Sequence, residues 1–369
     1  MSAKCPLFGT CGGCSSQHIP YDLQLDNKKE MLQRIVGFEP EVLSDDPYSY
    51  RNRMDLIFHK GGLGFRKKGD WKSIVPVASC PISNDGINRY VQEVSEFFEK
   101  PDYFDLQKQT GTMKYCVIRT ASSGTSISFV LNRDSTKIEQ VTKQIETFAK
   151  ETRAENILVT YVSKKTDMSI SDEYYVIKGN DYLEQSYCGN RFRYSVQGFF
   201  QNNHVMAEKM HEAVRSIFSK EDAKDAELLD LYGGVGTFGI NNAHFFSKVY
   251  TLESFAACTV SAKENIALNK VSNVSAHTMD AKNVHKIATG KKVFCITDPP
   301  RAGMHRKAIE RLLEKTPELI VYISCNIMQL GKELPHFKGY TIEKAVLFDL
   351  FPQTPHCEGL VVLRKQTNS

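Results

Sequence analysis

Residues 228–253 constrain the fold more tightly than any other stretch of the chain. Leu228-Leu229-Asp230-Leu231-Tyr232 is a short apolar run that reads as a buried strand. Gly233-Gly234-Val235-Gly236-Thr237-Phe238-Gly239 follows directly and opens a helix. Gly234, Gly236 and Gly239 satisfy G-x-G-x-x-G at this junction. A second strand, Val249–Leu252, ends on Glu253, at the distance along the chain where an acid meets ribose hydroxyls. A strand–helix–strand unit of this kind requires a parallel sheet with helices on its faces. It points to an adenosine-containing cofactor, and a dinucleotide or S-adenosylmethionine would use the same loop and the same acid.

The rest of this half separates the two cofactors. Val274–Met279 reads as a third strand ending at Asp280, a candidate acceptor for an adenine edge. Val293–Thr297 is a fourth and runs into Asp298-Pro299-Pro300-Arg301. An acidic-Pro-Pro turn at this place marks methyltransferases that act on amino nitrogens or bases, and the prolines fix a rigid turn. S-adenosylmethionine is therefore favoured, with a dehydrogenase as the second reading. Leu319–Ile323 is a further buried strand, and Ser324-Cys325-Asn326 lies just past it. Open α/β sheets place their chemistry beyond the carboxyl ends of their strands. A cysteine there is a nucleophile or, more commonly for a lone cysteine, a small buried hydrophobe.

The ten cysteines are unevenly spread. Cys5, Cys11 and Cys14 crowd the first fourteen residues, and Cys80-Pro81 stands far away. Cys5-x5-Cys11-Gly-Gly-Cys14 is a metal-ligand spacing. Three close thiolates plus a distant fourth suit a 4Fe–4S cluster, whose cysteine runs often end in Cys-Pro. Zinc is the alternative, but its four-cysteine sites usually use two Cys-x2-Cys pairs and only one occurs here. Gly12 and Gly13 would let the backbone wrap closely. The cluster is expected to be structural, pinning the N-terminus to the 60–90 region.

Between the two halves, residues 21–36 read as an amphipathic helix. Tyr50-Arg51-Asn52-Arg53 precedes a strand at Met54–His59, with a glycine turn expected at 61–64 and basic Phe65-Arg66-Lys67-Lys68 beyond it. Residues 114–132 read as a hairpin and 136–150 as a helix, with strands near 156–163 and 173–178. This mixture predicts an α+β domain over 46–185. Net charge of +4 permits an anionic partner. No run of 18 apolar residues occurs, and the N-terminus carries no apolar signal segment, so a cytoplasmic protein with no membrane partner is expected.

Together Cys5, Cys11, Cys14 and Cys80, Gln201, the Asp298 turn, Ser324-Cys325-Asn326 and Asp349-Leu350-Phe351-Pro352-Gln353-Thr354-Pro355-His356-Cys357-Glu358 resemble the RNA uracil-5-methyltransferase family, over nearly the whole chain. The N-terminal stretch is similar to the iron–sulfur branch that modifies 23S ribosomal RNA, without its TRAM domain. The resemblance implies a class I methyltransferase domain over 186–369 with a seven-stranded, mostly parallel sheet. Before it would come a central RNA-binding domain at 46–185 and an iron–sulfur segment at 1–45. It implies S-adenosylmethionine as cofactor and a 4Fe–4S cluster, structured RNA as partner and a monomer. The favoured substrate is 23S ribosomal RNA, with the T-loop uridine of tRNA as alternative and a non-catalytic RNA-binding protein as a further one. Carbon 5 of uracil is a poor nucleophile until a thiolate adds at carbon 6. Cys325 matches the family's nucleophile and Glu358 its base. Gln201, Tyr232, Gly234, Thr237, Glu253, Asp280 and Asp298 would line the cofactor. Ile327, Gly198, Thr237 and Cys357 depart from the usual Pro, Ser, Asn and Val.

Overall fold

Along the chain, helix α1 (Tyr21–Val36) and strand β1 (Glu41–Leu43) come first, and their partners come last. Strands β2 (Arg53–His59), β3 (Gly62–Lys67) and β4 (Asp70–Pro76) form a meander. Helix α2 (Asp85–Phe97), the hairpin β5 (Met113–Ala121) and β6 (Gly124–Asn132), helix α3 (Ile138–Glu151), and strands β7 (Asn156–Val162) and β8 (Tyr174–Lys178) follow. The short strands β9 (Tyr182–Tyr187) and β10 (Asn190–Ser195) and helix α4 (His204–Phe218) lead into a regular alternation. This comprises β11 (Glu227–Leu231), α5 (Thr237–Asn242), β12 (Lys248–Glu253), α6 (Ala256–Leu268), β13 (Val274–Thr278), β14 (Val293–Thr297), α7 (Arg306–Leu313) and β15 (Leu319–Ser324). Helix α8 (Ile327–Glu333) and strands β16 (Tyr340–Phe348) and β17 (Glu358–Lys365) complete it. The computed structural model describes residues 3–366. No described helix is long and apolar enough to cross a membrane.

The chain divides into two units. One gathers the residues up to Pro20, Asp46–Gln185 and Tyr194–His204; the other takes Tyr21–Asp45, Ser186–Arg193 and everything from Val205 onward. The first is built on a seven-stranded sheet, β4-β3-β2-β5-β6-β7-β8, antiparallel throughout except where α3 carries the chain from β6 to a parallel β7. The apolar faces of α2 (Ile87, Tyr90, Val91, Val94) and α3 (Val141, Ile145, Phe148) belong to a core that includes Leu56, Phe58, Ile118 and Phe129. The expected glycine turn at 61–64 is shorter, made by Lys60 and Gly61. Gly62, Leu63 and Gly64 lie inside β3, and a Cβ on Gly64 would stand 2.4 Å from the Val75 carbonyl oxygen across the ladder. The close β3–β4 approach therefore demands a glycine.

The second unit is a doubly wound α/β layer on an eight-stranded sheet, β1-β16-β17-β15-β14-β11-β12-β13. The expected count of seven is exceeded because β1 pairs in parallel with β16, Glu41 opposite Val346, and the Leu43 carbonyl accepts a bond from Asp349 N–H at 3.0 Å. That covers an edge of the sheet that would otherwise expose unpaired backbone groups. Strands β11 to β15 are parallel, whereas β17 runs antiparallel between β15 and β16.

The 1–45 stretch, expected as one segment, is split between the units. The buried stripe of α1 is Gln24, Lys28, Leu32 and Val36. Leu32 and Val36 enter the core of the second unit. The polar half reaches the loop between β16 and β17: Lys28 Nζ lies 2.7 Å from Asp349 Oδ1, with both side chains essentially inaccessible at 4% and 0% exposure. Tyr21 donates its hydroxyl to Asp349 Oδ2 at 2.8 Å. Gln24 Nε2 donates to Gln353 Oε1 at 3.0 Å, and Gln24 Oε1 accepts from Gln353 N–H at 3.2 Å. The 186–369 domain is also trimmed, since 194–204 belongs to the first unit. There the buried Arg119 donates to the carbonyls of Ser195, Val196 and Gly198 at 3.3, 2.9 and 2.8 Å.

Removing one member of a buried ion pair strands the other charge, which costs about 3–5 kcal/mol. Lys28→Met is expected to lose that much in urea unfolding. Lys28→Met combined with Asp349→Leu should recover part of it, because no uncompensated charge remains buried.

Candidate active site

The order of the strands assembles the site. Leu231 of β11 stands opposite Thr297 of β14, and Thr297 opposite Tyr322 of β15. The residues that follow, Tyr232, Asp298 and Cys325, therefore emerge at one edge of the sheet. Ser324 pairs with Gly359 in the antiparallel β15–β17 ladder. The chain thus leaves β15 at Cys325 beside the point where it enters β17 at Glu358.

Electrostatics bind these three groups into one cluster. Cys325 is half-buried, and its thiol is pushed up to about 11, chiefly by desolvation and then by Glu358 and Asp298, against the pull of its own N–H and of Arg301. Glu358 is only 4% exposed. Its Oε2 is buried with no hydrogen-bond partner among the described residues. Burial, and after it the Asp298 charge, raises this carboxyl well above the usual carboxylate range. Asp298 keeps partial surface exposure, but the desolvation of its carboxyl, aided by Asp230, raises it to about 7. Desolvation and like charge both favour the neutral acid. The free site therefore holds a protonated thiol at neutral pH, beside a Glu358 carboxyl whose surroundings favour its neutral form.

Neighbouring backbone is firmly held. Asn326 caps α8, its Oδ1 accepting from Gln329 N–H at 3.2 Å, while its Nδ2 donates to the Arg301 carbonyl at 3.0 Å. Ser324 Oγ accepts from Asn326 N–H at 3.2 Å. The turn after Asp298 is anchored by Glu333, a residue the sequence reading missed. Glu333 Oε2 accepts from Met304 N–H at 3.1 Å and from the Tyr322 hydroxyl, and Oε1 accepts from Gln329 Nε2 at 2.6 Å. Gly303 has φ +82° and a Cβ there would lie 1.8 Å from Glu333 Oε1. Lys28 and Asp349, which fix the loop before Glu358, also went unread as site residues. Hydrophobic periodicity gives no signal for a polar residue on a buried face.

The cofactor-type loop takes the form its glycines predict. Tyr232, Gly234 and Gly236 have positive φ, at 59°, 53° and 87°. A Cβ on Gly239 would stand 2.5 Å from Thr251 Oγ1, so the last glycine lets α5 approach β12. Beneath the loop Asp230 accepts from Gly239 N–H at 3.0 Å and from Thr251 Oγ1 at 3.1 Å, and burial raises it to about 7. Glu253 Oε2 accepts from Gly234 N–H at 3.2 Å and Oε1 from Phe255 N–H at 2.8 Å. Beside it opens a cavity of about 200 Å³ lined by Tyr232, Leu252, Ser254, Asp280, Lys282 and His305. An acid at the end of β12, a glycine loop and a pocket at the strand ends suit an adenosine moiety. Thr237 begins α5 and is half-buried there. Gln201 belongs to the first unit, on a loop tied to Asn52: Asn52 Nδ2 donates to the Gln201 carbonyl at 3.2 Å and its N–H to Asn202 at 3.0 Å. Arg53 in the same strand is committed to Asp55 at 2.7 and 2.9 Å, so it braces the fold.

Cys5, Cys11, Cys14 and Cys80 all lie in the first unit. Among the described residues no three His, Cys, Asp or Glu side chains could hold a metal ion. That departs from the expected metal site. The cysteines do act on one another electrostatically: burial first, then Cys80, Cys5 and Cys11, raise the Cys14 thiol to about 11. Gly12 serves a purpose other than wrapping. Its N–H donates to the Arg66 carbonyl at 2.9 Å, and a Cβ would come within 3.1 Å of that oxygen.

Comparison with known proteins agrees with this geometry. The family model described as tRNA (Uracil-5-)-methyltransferase matches residues 20–366. A tRNA (uracil(54)-C(5))-methyltransferase of Pyrococcus furiosus is 31% identical over 370 residues, covering 99% of this chain and 86% of its own length. An uncharacterized RNA methyltransferase of Clostridium tetani is 32% identical over 387 residues, covering 99% and 84%. The crystal structure of the Pyrococcus abyssi tRNA (uracil-54, C5)-methyltransferase with S-adenosyl-L-homocysteine superposes with a TM-score of 0.81 at 28% identity, covering 96% of this chain and 86% of that one. These matches displace the dehydrogenase reading of the glycine loop. The chain belongs to the tRNA (uracil-5-)-methyltransferase family and is an S-adenosylmethionine-dependent RNA uracil-C5 methyltransferase.

Proposed function

We propose that this chain methylates carbon 5 of the T-loop uridine of tRNA, with Cys325 as nucleophile and Glu358 as base. The observation that carries the reading is the meeting of a half-buried thiol with a buried carboxyl, whose Oε2 has no partner among the described residues, beside the Asp298 turn. The N-terminal cysteine stretch favours 23S ribosomal RNA as target. The Pyrococcus relative and the solved neighbour are named instead for uracil 54 of tRNA, which supports the tRNA target. Gln201, Tyr232, Gly234, Thr237, Glu253, Asp280 and Asp298 are assigned to cofactor contact.

S-adenosylmethionine, when bound, supplies the methyl group as a sulfonium, and its positive charge acts on these raised acids in the sense that ionises them. The target base must first leave its stack, which T-loop nucleotides permit at modest cost. Cys325, its proton lost to solvent as the ligands ionise the site, forms a bond from Sγ to carbon 6, and the electron pair moves to carbon 5. Carbon 5 takes the methyl as the sulfonium's carbon–sulfur bond breaks and its electron pair leaves with the neutral thioether. Glu358 as carboxylate then removes the carbon 5 proton. The pair left behind restores the carbon 5–carbon 6 double bond and expels the Cys325 thiolate. The absence of a competing hydrogen bond leaves Glu358 Oε2 available for that proton.

A 4Fe–4S cluster held by Cys5, Cys11, Cys14 and Cys80 is also proposed. Its support is the Cys5-x5-Cys11-x2-Cys14 spacing with a distant Cys80-Pro81, together with the mutual charge effects among these thiols.

Cys325→Ala should abolish methyl transfer from labelled S-adenosylmethionine to unmodified tRNA. Glu358→Gln should accumulate a denaturation-resistant protein–RNA adduct on gels; a variant that turns over normally would remove Glu358 from the base role. Glu358→Gln also carries a stability signature. A carboxyl raised by folding loses stability as pH climbs from the ordinary carboxylate range through its folded value. Gln has no such loss, so the variant's Tm should rise relative to the parent's as pH climbs and converge with it in acid. Protein purified without oxygen should be brown, with about four irons per chain; a colourless, zinc-loaded preparation would refute the cluster.

A further inference from the structure

We infer that the β3–β4 hairpin tip is an RNA-contact platform: Trp71 stacks on an unpaired base while Lys67, Lys68 and Lys72 take the adjoining phosphates. The inference rests on the RNA substrate argued above, but on none of the catalytic residues.

Trp71 is the single tryptophan of the chain and is 59% exposed. A large apolar ring left in water on a polar hairpin is costly, and the surrounding structure shows what it is kept for. Arg66 donates from Nη1 to the Trp71 carbonyl at 2.6 Å and from Nη2 to both Asp167 carboxylate oxygens at 2.9 Å. On the opposite side the cysteine segment is strand-paired to the same hairpin. Gly12 N–H donates to the Arg66 carbonyl at 2.9 Å and Lys68 N–H to the Thr10 carbonyl at 2.8 Å. Where β2 ceases to pair with β3, at Ile57–Gly64, residues 10–12 take its place. The tip is therefore braced on both sides, which lowers the entropy lost when a ligand docks.

Charge decides the class of ligand. Residues 66–72 carry four cations and one carboxylate. That carboxylate, Asp70, is drawn into the turn by Ser73 Oγ at 2.6 Å and Lys72 N–H at 3.2 Å. Lys67, Lys68 and Lys72 are exposed and enter no ion pair among the described residues. Lys72 Nζ and the Arg66 guanidinium lie 5.6 and 5.8 Å from the Trp71 ring centroid. Aromatic faces flanked by cations bind single-stranded nucleic acid by stacking and phosphate contact. A protein partner would favour an apolar surround, and a merely solvated face would carry no exposed indole.

The sole tryptophan is its own probe. Titrating the full chain with unmodified tRNA transcript should quench its fluorescence to saturation, less steeply at higher salt. Trp71→Ala should raise KM for tRNA roughly 5- to 100-fold, the loss of one stacked base, without moving KM for S-adenosylmethionine. Trp71→Phe should restore most of it. Replacing Lys67, Lys68 and Lys72 by Gln should flatten the salt dependence. Methylation that saturates with tRNA while the fluorescence stays constant, or an unaltered KM in Trp71→Ala, would overturn the platform and leave the proposed function standing. Quenching that follows protein concentration without RNA would overturn it in favour of contact between copies. Quenching by tRNA with no methylation of it would uphold the platform and sink the proposed substrate.

Discussion

The candidate site depends on one antiparallel strand entering an otherwise parallel sheet. Parallel strands deliver their reactive residues only where they end. Tyr232, Asp298 and Cys325 are delivered in that way by β11, β14 and β15. An antiparallel neighbour begins at the edge where the parallel strands stop, so its first residue joins the same site. The register of β15 and β17, Ser324 against Gly359, sets Glu358 next to Cys325. A slip of one residue would turn Glu358 to the other face of the sheet. The proposed chemistry of a thiol and a base on one carbon–carbon bond thus rests on a ladder register.

Burial then sets the state of both groups. Burial and then the Asp298 charge favour the neutral form of Glu358, whose Oε2 has no hydrogen-bond partner among the described residues, and the thiol is held above its ordinary value. A resting site with neutral acid and neutral thiol is inert toward stray electrophiles. The Arg301 charge lowers the Cys325 thiol, and Arg301 sits exposed, within 3.5 Å of His356. The scaffold supplies position and low polarity, and ionisation must come with the ligands. Perturbed acids gathered at strand ends in this way are a mark of function.

Much of this was legible in the sequence because it follows from local chemistry. The glycine loop, the Asp298 turn and the apolar run before Cys325 each announce a strand end, and strand ends are where α/β sheets react. Glu358 was legible through the resemblance of 349–358, whereas its burial was not, since an acid at the head of a strand reads equally as a surface residue. The glycines of β3 were misread as a turn because glycine signals both a bend and a close crossing, and only the neighbouring Val75 carbonyl tells them apart. The eighth strand escaped because three residues carry no period. Lys28 and Arg119 escaped because the partners of each lie far away along the chain, and Glu333 because a charged residue on a helix reads as solvated until its burial is seen.

Lys28 shows why such residues are retained. A helix that buries Gln24 and Lys28 in the same stripe as Leu32 and Val36 gives up part of its apolar face. Well-packed aliphatic side chains would often be at least as stable as a buried ion pair. They would also be indifferent to small slides of α1 along the 349–357 loop. A lysine bonded to Asp349 and the Phe351 carbonyl, a tyrosine on the other Asp349 oxygen and a reciprocal pair of glutamines accept one alignment only. That loop leads directly into Glu358, the proposed base. Directional polar contacts at the start of the chain therefore hold the loop before Glu358 in one place, where a greasy contact would leave it free to drift by the fraction of an ångström that the proposed proton transfer would not tolerate.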